Sequence, residues 1–457
     1  MIRAAIAAFA SVLPSLASAG DLSVLHPLER PAFSEDWRTE TRRTAAPGDM
    51  VLAILKLDGN PCVRLSASRP DIAFWQMLPL ETETPSDEAT ATGTFHEVLA
   101  PRSAATCTLS RLVLAEWRAE RNETVEIGGG HVRIEVRTIE PAAGPRLPFM
   151  VGINPANLLR GHCAGTACTD PSALYRNYAA MLRDHGLQPM QAYVKFPPIV
   201  DGRLDLDAGA GSGVSFRQTV MDQVIHGLVG FPRASRYPDP AAYLKALQRT
   251  VEIEGLKGRA WVYAADEPAD LDALAETLGN YRRLAPDVRV LVTTDRDPRL
   301  EGLVDTYAPV FNRLVSGRHP GFGDYADIGL WTYLSCMGSC GPHRAEAPEA
   351  ERSPGPATGI ADLLIDRPAR RLFRFFRQID GRVDGLLYYE AIESYRLVPM
   401  GVDIFRDTWN FGGNGDGLLV FPGRPGEFGG SRHGPLPSLR LKFLRHALQS
   451  ARARAQR

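Results

Sequence analysis

The 457-residue chain lacks any strong excess of charge of one sign. Its formal net charge is −1, and no basic cluster interleaved with aromatic residues occurs, which argues against nucleic acid as a partner. No segment after the N-terminus reaches about 18 consecutive apolar residues, so no stable membrane anchor is expected. The hydrophobic content of 44% is enough for a sizeable core, and the length fits one large domain with a smaller one.

The N-terminus has the features of a secretory signal peptide. Residues 1–3 supply an early positive charge, residues 4–16 are mostly apolar, and residues 17–19 read Ala-Ser-Ala, a small-residue cleavage pattern. We expect cleavage after Ala19, so that residues 1–19 are a signal peptide and the mature protein is periplasmic or secreted. The apolar segment is too short to span a bilayer as a helix.

Cysteine is scarce, and the six cysteines make an even count. In an exported protein such a set favours disulfide bonds. The close spacings suggest the pairs Cys163–Cys168 and Cys336–Cys340, which leaves Cys62 with Cys107. A zinc site that includes the nearby His162 and His343 is the alternative. Because the spacings match no standard zinc ribbon, we expect disulfides and no metal.

The residue pattern changes near residue 148. Residues 20–147 contain strand-like segments, such as the apolar run 50–57 and two alternating strands around the glycines 128–130, and predict a smaller β-sandwich domain. In residues 148–457 strands and helices alternate, which predicts a (β/α)8 TIM-type barrel. A doubly wound α/β sheet is the alternative, but no G-x-G-x-x-G fingerprint supports it.

The apolar runs and helical spacings give the bounds of the expected barrel elements. The predicted strands are 149–154, 190–196, 227–231, 261–265, 288–293, 305–311, 329–334 and 385–390. The predicted helices are 171–185, 240–252, 271–284, 368–378 and a C-terminal helix capped by Ser438. The C-terminal helix is expected to pack against the barrel through Leu441, Leu444 and Leu448.

One stretch, residues 259–268, organises the predicted barrel. The apolar run Trp-Val-Tyr-Ala-Ala at 261–265 predicts a buried strand that ends at two carboxylates, Asp266 and Glu267. Pro268 suits the first turn of a following helix. Because strand ends face the ligand in such a barrel, both carboxylates are candidates for catalysis. The alternative is that Asp266 caps the helix and Glu267 only complements its dipole.

Polar and aromatic residues at other strand ends form a set typical of sugar binding. The candidates are Asn154, Lys195, Asn312, Trp331, Tyr333, Tyr388 and Glu390. Aromatic rings cover the apolar faces of a sugar, while amide, ammonium and carboxylate groups bind its hydroxyls. A place in the core is the alternative for each aromatic residue. The sequence therefore predicts a carbohydrate partner.

A series of motifs runs along residues 149–449. They are Tyr263-Ala-Ala-Asp266-Glu267-Pro268, Leu330-Trp331-Thr-Tyr333, Gly385-Leu-Leu-Tyr388-Tyr389, Trp409, Gly415-Asp416-Gly417-Leu-Leu-Val-Phe421-Pro422-Gly423 and the tract 437–445. In their order and spacing they resemble glycoside hydrolase family 123, and Trp409 joins the candidate sugar-binding residues. The tract 446–451, His-Ala-Leu-Gln-Ser-Ala, departs from the family pattern and indicates a divergent member.

The resemblance implies a glycosidase that cleaves a β-N-acetylgalactosaminide-like bond by substrate-assisted retaining catalysis. The substrate's own 2-acetamido oxygen would attack the anomeric carbon, so neither a protein nucleophile nor a cofactor is expected. Asp266 would orient the acetamido group, and Glu267 would protonate the leaving oxygen and then activate water. We expect Glu267 to be partly buried beside Asp266.

Two other functions fit the same residues. The first is a non-catalytic carbohydrate-binding protein on the same barrel. The second is a two-carboxylate retaining glycosidase, with Glu267 as acid and Glu390 or Asp416 as nucleophile. The sequence indicates neither the sugar and its linkage nor an oligomeric state.

Overall fold

The structure is a computed structural model, in which a β-sandwich precedes a parallel barrel. It describes residues 22–25, 32, 36–58, 65–86, 92–102, 110–128, 132–141, 143–163, 170–191, 196–209, 213–335, 363–410, 413–428 and 432–454. The predicted signal peptide and Lys195 lie outside these residues, and so do Cys62, Cys107, Cys168, Cys336 and Cys340. Cys163 ends the helix Pro155–Cys163 and is disulfide-bonded, while the three proposed pairings stay predictions.

The N-terminal strands form two sheets, which confirms the predicted sandwich. In chain order the strands are β1 (Leu22–Leu25), β2 (Glu40–Ala45), β3 (Met50–Leu57), β4 (Ala73–Thr82), β5 (Gly93–Pro101), β6 (Leu112–Arg118), β7 (Glu123–Ile127) and β8 (Val132–Thr138). One sheet is antiparallel in the order β1-β3-β6-β4-β5. The other has the order β2-β8-β7, with β2 parallel to β8. The predicted boundary between residues 147 and 148 lies in the linker after β8 and stays a prediction.

Strand β3 is apolar along almost its whole length because both of its faces are buried. Val51, Ala53 and Leu55 belong to the core between the two sheets of the sandwich. Leu52 and Ile54 point the other way, since successive side chains alternate, and they belong to the larger core shared with the barrel. The five-stranded sheet therefore packs on the smaller sheet with one face and on the barrel with the other.

The remaining strands build the barrel and its additions. They are β9 (Phe149–Ile153), β10 (Gln188–Gln191), β11 (Ile199–Val200), β12 (Arg203–Leu204), β13 (Val229–Phe231), β14 (Ala260–Asp266), β15 (Arg289–Thr293), β16 (Thr306–Tyr307), β17 (Gly329–Tyr333), β18 (Gly385–Tyr388), β19 (Trp409–Asn410), β20 (Gly413–Asn414), β21 (Val420–Gly423) and β22 (Gly434–Pro437). Eight of them pair in parallel in the order β10-β9-β18-β17-β16-β15-β14-β13.

Pairing of the first barrel strand, β9, with the last, β18, curls this sheet into the predicted barrel. Among the described residues the sheet is interrupted only between β10 and β13. The side-chain amide of Gln188 spans that gap. It donates to the Leu228 carbonyl at 2.6 Å and accepts from the His226 backbone N–H at 3.0 Å.

Helices separate most of the barrel strands, as the 3.6-residue periodicity predicts. The described α-helices are Pro155–Cys163, Pro171–Asp184, Phe216–Thr219, Pro240–Ile253, Leu271–Leu284, Phe311–Val315, Ala369–Ile379 and Leu439–Ser450. No helix in the described part of the chain is long and apolar enough to cross a bilayer. The predicted strand 305–311 needs correction: β16 is short, Pro309 follows it without an N–H group to extend the sheet, and a helix begins at Phe311.

The C-terminal helix Leu439–Ser450 lies between the barrel and the sandwich. The Ser438 hydroxyl accepts a hydrogen bond from the Leu441 backbone N–H at 3.0 Å, which confirms the predicted cap. The predicted apolar residues of this helix are buried. Isolated bridge pairing between Val98 of β5 and Ser438 brings the start of the helix against the large sheet of the sandwich.

Charged residues on the same helix are buried as well, because the sandwich supplies carboxylates. Arg440 Nε lies 2.5 Å from Glu97 Oε1, and Lys442 Nζ lies 2.9 Å from Glu116 Oε2. The Lys442 ammonium also lies 4.5 Å from the centre of the Trp75 ring. Paired, these charges join the sandwich to the barrel, whereas a lone buried charge would destabilise the fold.

Candidate active site

Asp266 lies at the mouth of the barrel, where β14 ends. The register of β14 against β15 shifts between Tyr263 and Ala265, so that Ala264 is the additional residue of a β-bulge. In a regular strand residues three apart point to opposite faces, but one extra residue brings them to the same face. The Tyr263 hydroxyl accordingly reaches Asp266 and donates to Oδ1 at 2.5 Å.

Glu267 leaves the strand in the left-handed backbone conformation, with φ of 43°. Residues other than glycine rarely adopt this conformation, and those that do cluster at functional sites. The Glu267 N–H donates to Thr293 Oγ1 at 2.9 Å, and the Tyr333 hydroxyl donates to Glu267 Oε1. Burial and the charge of Glu267 raise the pKa of Tyr333 well above its usual range, so that the hydroxyl keeps its proton. Two other barrel strands therefore fix both the backbone and the side chain of Glu267.

Neither carboxylate caps the following helix. The helix Leu271–Leu284 begins after its N-cap Asp270, whose Oδ1 accepts from two backbone N–H groups at 3.0 Å each. Pro268 precedes this cap and is not the first helical residue. Asp266 and Glu267 are both exposed, so the partial burial expected of Glu267 is not observed. The capping alternative is thus excluded for Asp266.

A cavity of about 390 Å³ opens at this end of the barrel. Asp266, Glu267 and Tyr333 line it, so the structure brings these three predicted residues together. Its other polar lining residues include Tyr263, Thr293, Arg233, Arg236, Tyr389 and Asp416. Phe196, Phe216 and Phe231 contribute aromatic surface. A cavity of this volume, with a mostly apolar surface on which polar groups converge, is typical of small-ligand sites.

Asp416 adds a third carboxylate to the cavity. The Tyr388 hydroxyl donates to Asp416 Oδ1 at 3.2 Å and accepts from the Gly417 N–H at 2.9 Å. Tyr388 is only 1% exposed, and burial raises its pKa well above the usual range. It positions Asp416 and does not line the cavity. Because β14 and β18 are the fourth and eighth barrel strands, Asp416 lies across the mouth from Asp266.

Asn154 and Glu390, two predicted substrate-binding residues, contact each other below the surface. Glu390 Oε1 accepts from the Asn154 backbone N–H at 3.1 Å, and Asn154 Oδ1 accepts from the Ala156 N–H at 2.9 Å. Glu390 is fully buried, and burial together with the nearby charge of Glu393 raises its pKa well above the usual range. A buried carboxyl group that favours its neutral form is poorly suited to act as a nucleophile.

Trp331 lies in the barrel interior, where it is 7% exposed. Its ring centre is 5.8 Å from that of Trp261, which lines the cavity, and it packs with Met150, Leu291 and Leu387. Trp331 therefore supports the cavity wall from behind. Its contact with a sugar stays a prediction.

Two further predicted residues lie apart from the lining residues. Asn312 is buried in the helix Phe311–Val315, and Trp409 begins β19. A sugar-binding role for either stays a prediction. Within the described ranges, no group of three or more His, Cys, Asp or Glu side chains is arranged to hold a metal ion.

The sequence prediction missed several lining residues. Tyr263 belongs to the same motif as the carboxylate pair, but three-residue spacing along a strand argues against a contact unless a bulge is known. Thr293 ends a predicted strand, yet a single threonine is a weak signal. Arg233 and Arg236 follow β13 without any motif that would single them out.

Sequence comparison finds no match, since neither a family model nor a curated protein resembles the chain closely enough. Structure comparison does find similar proteins. The chain shares its fold with a family 123 glycoside hydrolase. That enzyme, from Clostridium perfringens, is described in terms of glycolipid glycan hydrolysis. It matches with a TM-score of 0.60 over 94% of this chain and 87% of its own, at 10% sequence identity. The predicted resemblance to family 123 is thus confirmed at the level of the fold.

Several of the motifs that carried the family 123 resemblance meet at one place in the fold. Tyr263, Asp266 and Glu267 come from the first motif, Tyr333 from the second, and Asp416 from a segment far along the chain. All five line the same cavity. Residues separated by about 150 positions in the sequence therefore form one site, which local pattern alone does not require.

Proposed function

We propose that the protein is an exported glycoside hydrolase that cleaves a 2-acetamido sugar from a polysaccharide or glycoconjugate by substrate-assisted retaining catalysis. The observation that carries the proposal is the adjacent pair Asp266 and Glu267, each oriented by its own tyrosine at the barrel mouth. The fold shared with a family 123 glycoside hydrolase supports it. The predicted signal peptide supports a periplasmic or secreted location.

In the first step, the carbonyl oxygen of the 2-acetamido group attacks the anomeric carbon as the bond to the leaving oxygen breaks. Asp266 accepts a hydrogen bond from the acetamido N–H and stabilises the positive charge of the forming oxazolinium. Glu267 donates its proton to the leaving oxygen. In the second step, Glu267 takes a proton from a water molecule that attacks the anomeric carbon, the acetamido oxygen leaves, and the sugar is released with its configuration retained.

The local geometry is consistent with these separate roles of Asp266 and Glu267. Tyr263 fixes Asp266 on the inner side of β14, where an acetamido group would sit in the cavity. The left-handed conformation of Glu267 turns the chain after the strand end, so that two consecutive residues face one cavity although neighbouring side chains of a strand point apart.

A two-carboxylate retaining mechanism is the second candidate, and one observation favours it. Asp416 lines the same cavity on the side opposite Asp266. In that mechanism Asp416 would attack the anomeric carbon while Glu267 acts as the acid, which needs carboxyl groups about 5–5.5 Å apart. In the substrate-assisted mechanism Asp416 would instead bind sugar hydroxyls.

The test uses aryl 2-acetamido glycosides with good and poor leaving groups. Glu267→Gln should abolish turnover of the poor leaving group and spare much of that of the good one, which needs little protonation. Asp266→Asn should slow both, because it acts on formation of the cyclic intermediate. Glu276→Gln, which neutralises an exposed carboxylate on the following helix, is the matched control and should leave both rates unchanged.

Two trapping experiments separate the mechanisms. An N-thioacetyl thiazoline, which mimics the oxazolinium, should bind the wild type tightly as an intermediate analogue. A covalent adduct from a 2-fluoro glycoside on Asp416 would overturn the substrate-assisted mechanism. Tight sugar binding without turnover of any glycoside would instead identify a non-catalytic binding protein.

A further inference from the structure

One wall of the cavity differs in charge from the rest. Arg233 and Arg236 follow β13 and line the cavity next to the end of β14. The three lining carboxylates each accept a hydrogen bond from a tyrosine. The Arg233 side chain has neither a hydrogen bond nor an ion pair with any residue that the structure describes. Since Arg233 is half-buried, it presents a guanidinium with unused donors to whatever fills the cavity.

The backbone that carries these arginines is anchored on both sides. The Ala234 N–H donates to the Tyr281 hydroxyl at 2.6 Å, and the Tyr237 hydroxyl donates to the Pro197 carbonyl at 2.9 Å. The Tyr237 ring stacks on that of Tyr243 with centroids 3.9 Å apart. The arginines are therefore held at the cavity on a fixed turn, as a binding group requires.

From this geometry we propose that the sugar bound in the cavity carries an anionic group, a carboxylate or a sulfate ester, that pairs with Arg233 and Arg236. The inference rests on the proposed function, because it names the substrate class of the same site. A guanidinium donates two parallel hydrogen bonds to a planar carboxylate or to a sulfate, and such charge-assisted pairs are stronger than neutral ones.

The position of the arginines also fixes the orientation of such a substrate. Asp416, held beside β18 by Tyr388, would repel an anionic group placed next to it. The anionic group is therefore expected on the β13 side of the mouth, away from Asp416 beside β18. The 2-acetamido group would then lie toward Asp266, and the anionic group would lie against the arginines.

The experiment compares two matched substrate pairs. The first is an aryl 2-acetamido galactoside with and without a 6-O-sulfate. The second is a 2-acetamido sugar β-linked to glucuronate, and the same disaccharide with the carboxylate reduced to the alcohol. The readout is the ratio of kcat/KM between the anionic and the neutral member, measured for the wild type, Arg233→Gln, Arg233→Lys and Arg249→Gln. Arg249 is an exposed arginine on the helix Pro240–Ile253 outside the cavity, so it matches the change in charge.

The wild type should prefer the anionic member of at least one pair, and that pair identifies sulfate or carboxylate as the group. In Arg233→Gln the preference should fall by about tenfold to hundredfold, mainly through KM, as expected for a hydrogen bond to a charged group. Arg233→Lys should keep part of it, because a lysine keeps the charge but not the paired donors. Arg249→Gln should keep all of it. Added salt should reduce the wild-type preference, since it screens exposed charges.

Equal kcat/KM for both members of both pairs would overturn the inference, and so would an equal loss on anionic and neutral substrates in Arg233→Gln. Failure of the proposed function gives a different result, namely no hydrolysis of any of the four compounds. Calorimetric titration of the same compounds then tests whether the cavity binds the anionic group without catalysing hydrolysis. Tighter binding of the anionic member that is lost in Arg233→Gln supports the anionic site without catalysis, and equal binding rejects it.

Discussion

The Tyr263 hydroxyl lies 2.5 Å from Asp266 Oδ1 and 3.0 Å from Thr293 Oγ1. One phenol therefore connects the end of β14 to the end of β15 beside the proposed acetamido-binding carboxylate. A hydrogen bond to an ionised carboxylate is short and strong enough to fix its rotamer. The proposed role of Asp266 depends on that orientation.

Replacement of Tyr263 with phenylalanine tests this dependence. We expect Tyr263→Phe to lower kcat by about tenfold to hundredfold, because a misplaced group loses much of its effect on the reacting atoms. The loss should be similar for good and poor leaving groups, as for Asp266→Asn. Steady-state kinetics on aryl 2-acetamido glycosides gives both values. Tyr325→Phe is the control, because it removes a hydroxyl outside the cavity lining and should leave kcat unchanged. An unchanged kcat in Tyr263→Phe would contradict the orienting role of Tyr263.

The packing of Trp331 against Gly385 predicts a stability effect. A Cβ atom added at Gly385 would lie 2.3 Å from Cε2 of the Trp331 indole, inside the barrel where both groups are confined. We expect Gly385→Ala to lower the free energy of unfolding by about 1–3 kcal/mol, as overpacked cores do. Gly279→Ala is the control, because no atom lies within 4 Å of the added Cβ on its helix. It should raise stability by about 0.5–1 kcal/mol. Urea unfolding of both variants checks the difference in sign.

The buried His185 predicts a dependence of stability on pH. Its Nδ1 lies 2.6 Å from the Met181 carbonyl, and burial, with the charge of Lys442 adding to it, lowers the pKa to about 3 from 6.5. Between these two values the unfolded chain binds a proton that the folded protein does not. The contribution of His185 to stability is therefore complete above pH 6.5 and is lost progressively as the pH falls toward 3.

We expect the variant His185→Gln to lack this pH-dependent contribution to stability. Between about pH 7.5 and about pH 5, its free energy of unfolding should decrease by about 2 kcal/mol less than that of the wild type. Urea unfolding at the two pH values measures the difference, and buried carboxyl groups such as Glu390 cancel because both proteins contain them. The same pH dependence in both proteins would contradict a buried neutral histidine.

The ion pair between Arg440 and Glu97 predicts that the sandwich stabilises the barrel. Glu97 is fully buried, and Arg440 is 3% exposed. We expect Glu97→Gln to lower the free energy of unfolding by about 3–5 kcal/mol, because it leaves a buried guanidinium without its carboxylate. Glu81→Gln on the neighbouring strand changes an exposed carboxylate and should alter stability by less than about 0.5 kcal/mol. Similar unfolding midpoints for the two variants would argue against a role for the buried pair.

Strongly patterned elements could be predicted from the sequence. The predicted strand 261–265 corresponds to β14, which extends one residue further at each end. The predicted helix 271–284 has the bounds of the observed helix Leu271–Leu284. A parallel strand that is covered on both sides must be an uninterrupted apolar run, and an amphipathic helix must repeat every 3.6 residues. Such constraints act locally, so the sequence displays them.

Depth within the barrel could not be predicted in the same way. Trp331 and Tyr333 lie two residues apart on β17, and both point into the barrel. Only Tyr333 lines the cavity, because it ends the strand, whereas Trp331 lies deeper. The alternation of side chains indicates the face of a strand but not the layer that a residue occupies. The strand bounds decide the layer, and they are the least certain part of a prediction.

The positions of Glu390 and Asp416 depended on tertiary structure. The predicted strand 385–390 ends at Tyr388, so Glu390 lies beyond the strand and is buried against the chain after β9. Asp416 lies in an irregular segment after the last barrel strand, and Tyr388 fixes it at the cavity. Neither arrangement follows from periodicity, since each needs a partner that is distant in the chain.

Arg440 connects the sandwich and the barrel to the candidate active site. Besides Glu97 of the sandwich, its guanidinium donates to the Gly415 carbonyl at 2.7 Å, immediately before Asp416. A residue of β5 thus helps to set the position of a carboxylate in a cavity that none of the described sandwich residues lines. The barrel and the sandwich are consequently not interchangeable modules: a barrel joined to a different N-terminal partner would keep its strands and helices, yet lose the alignment of one side of its mouth.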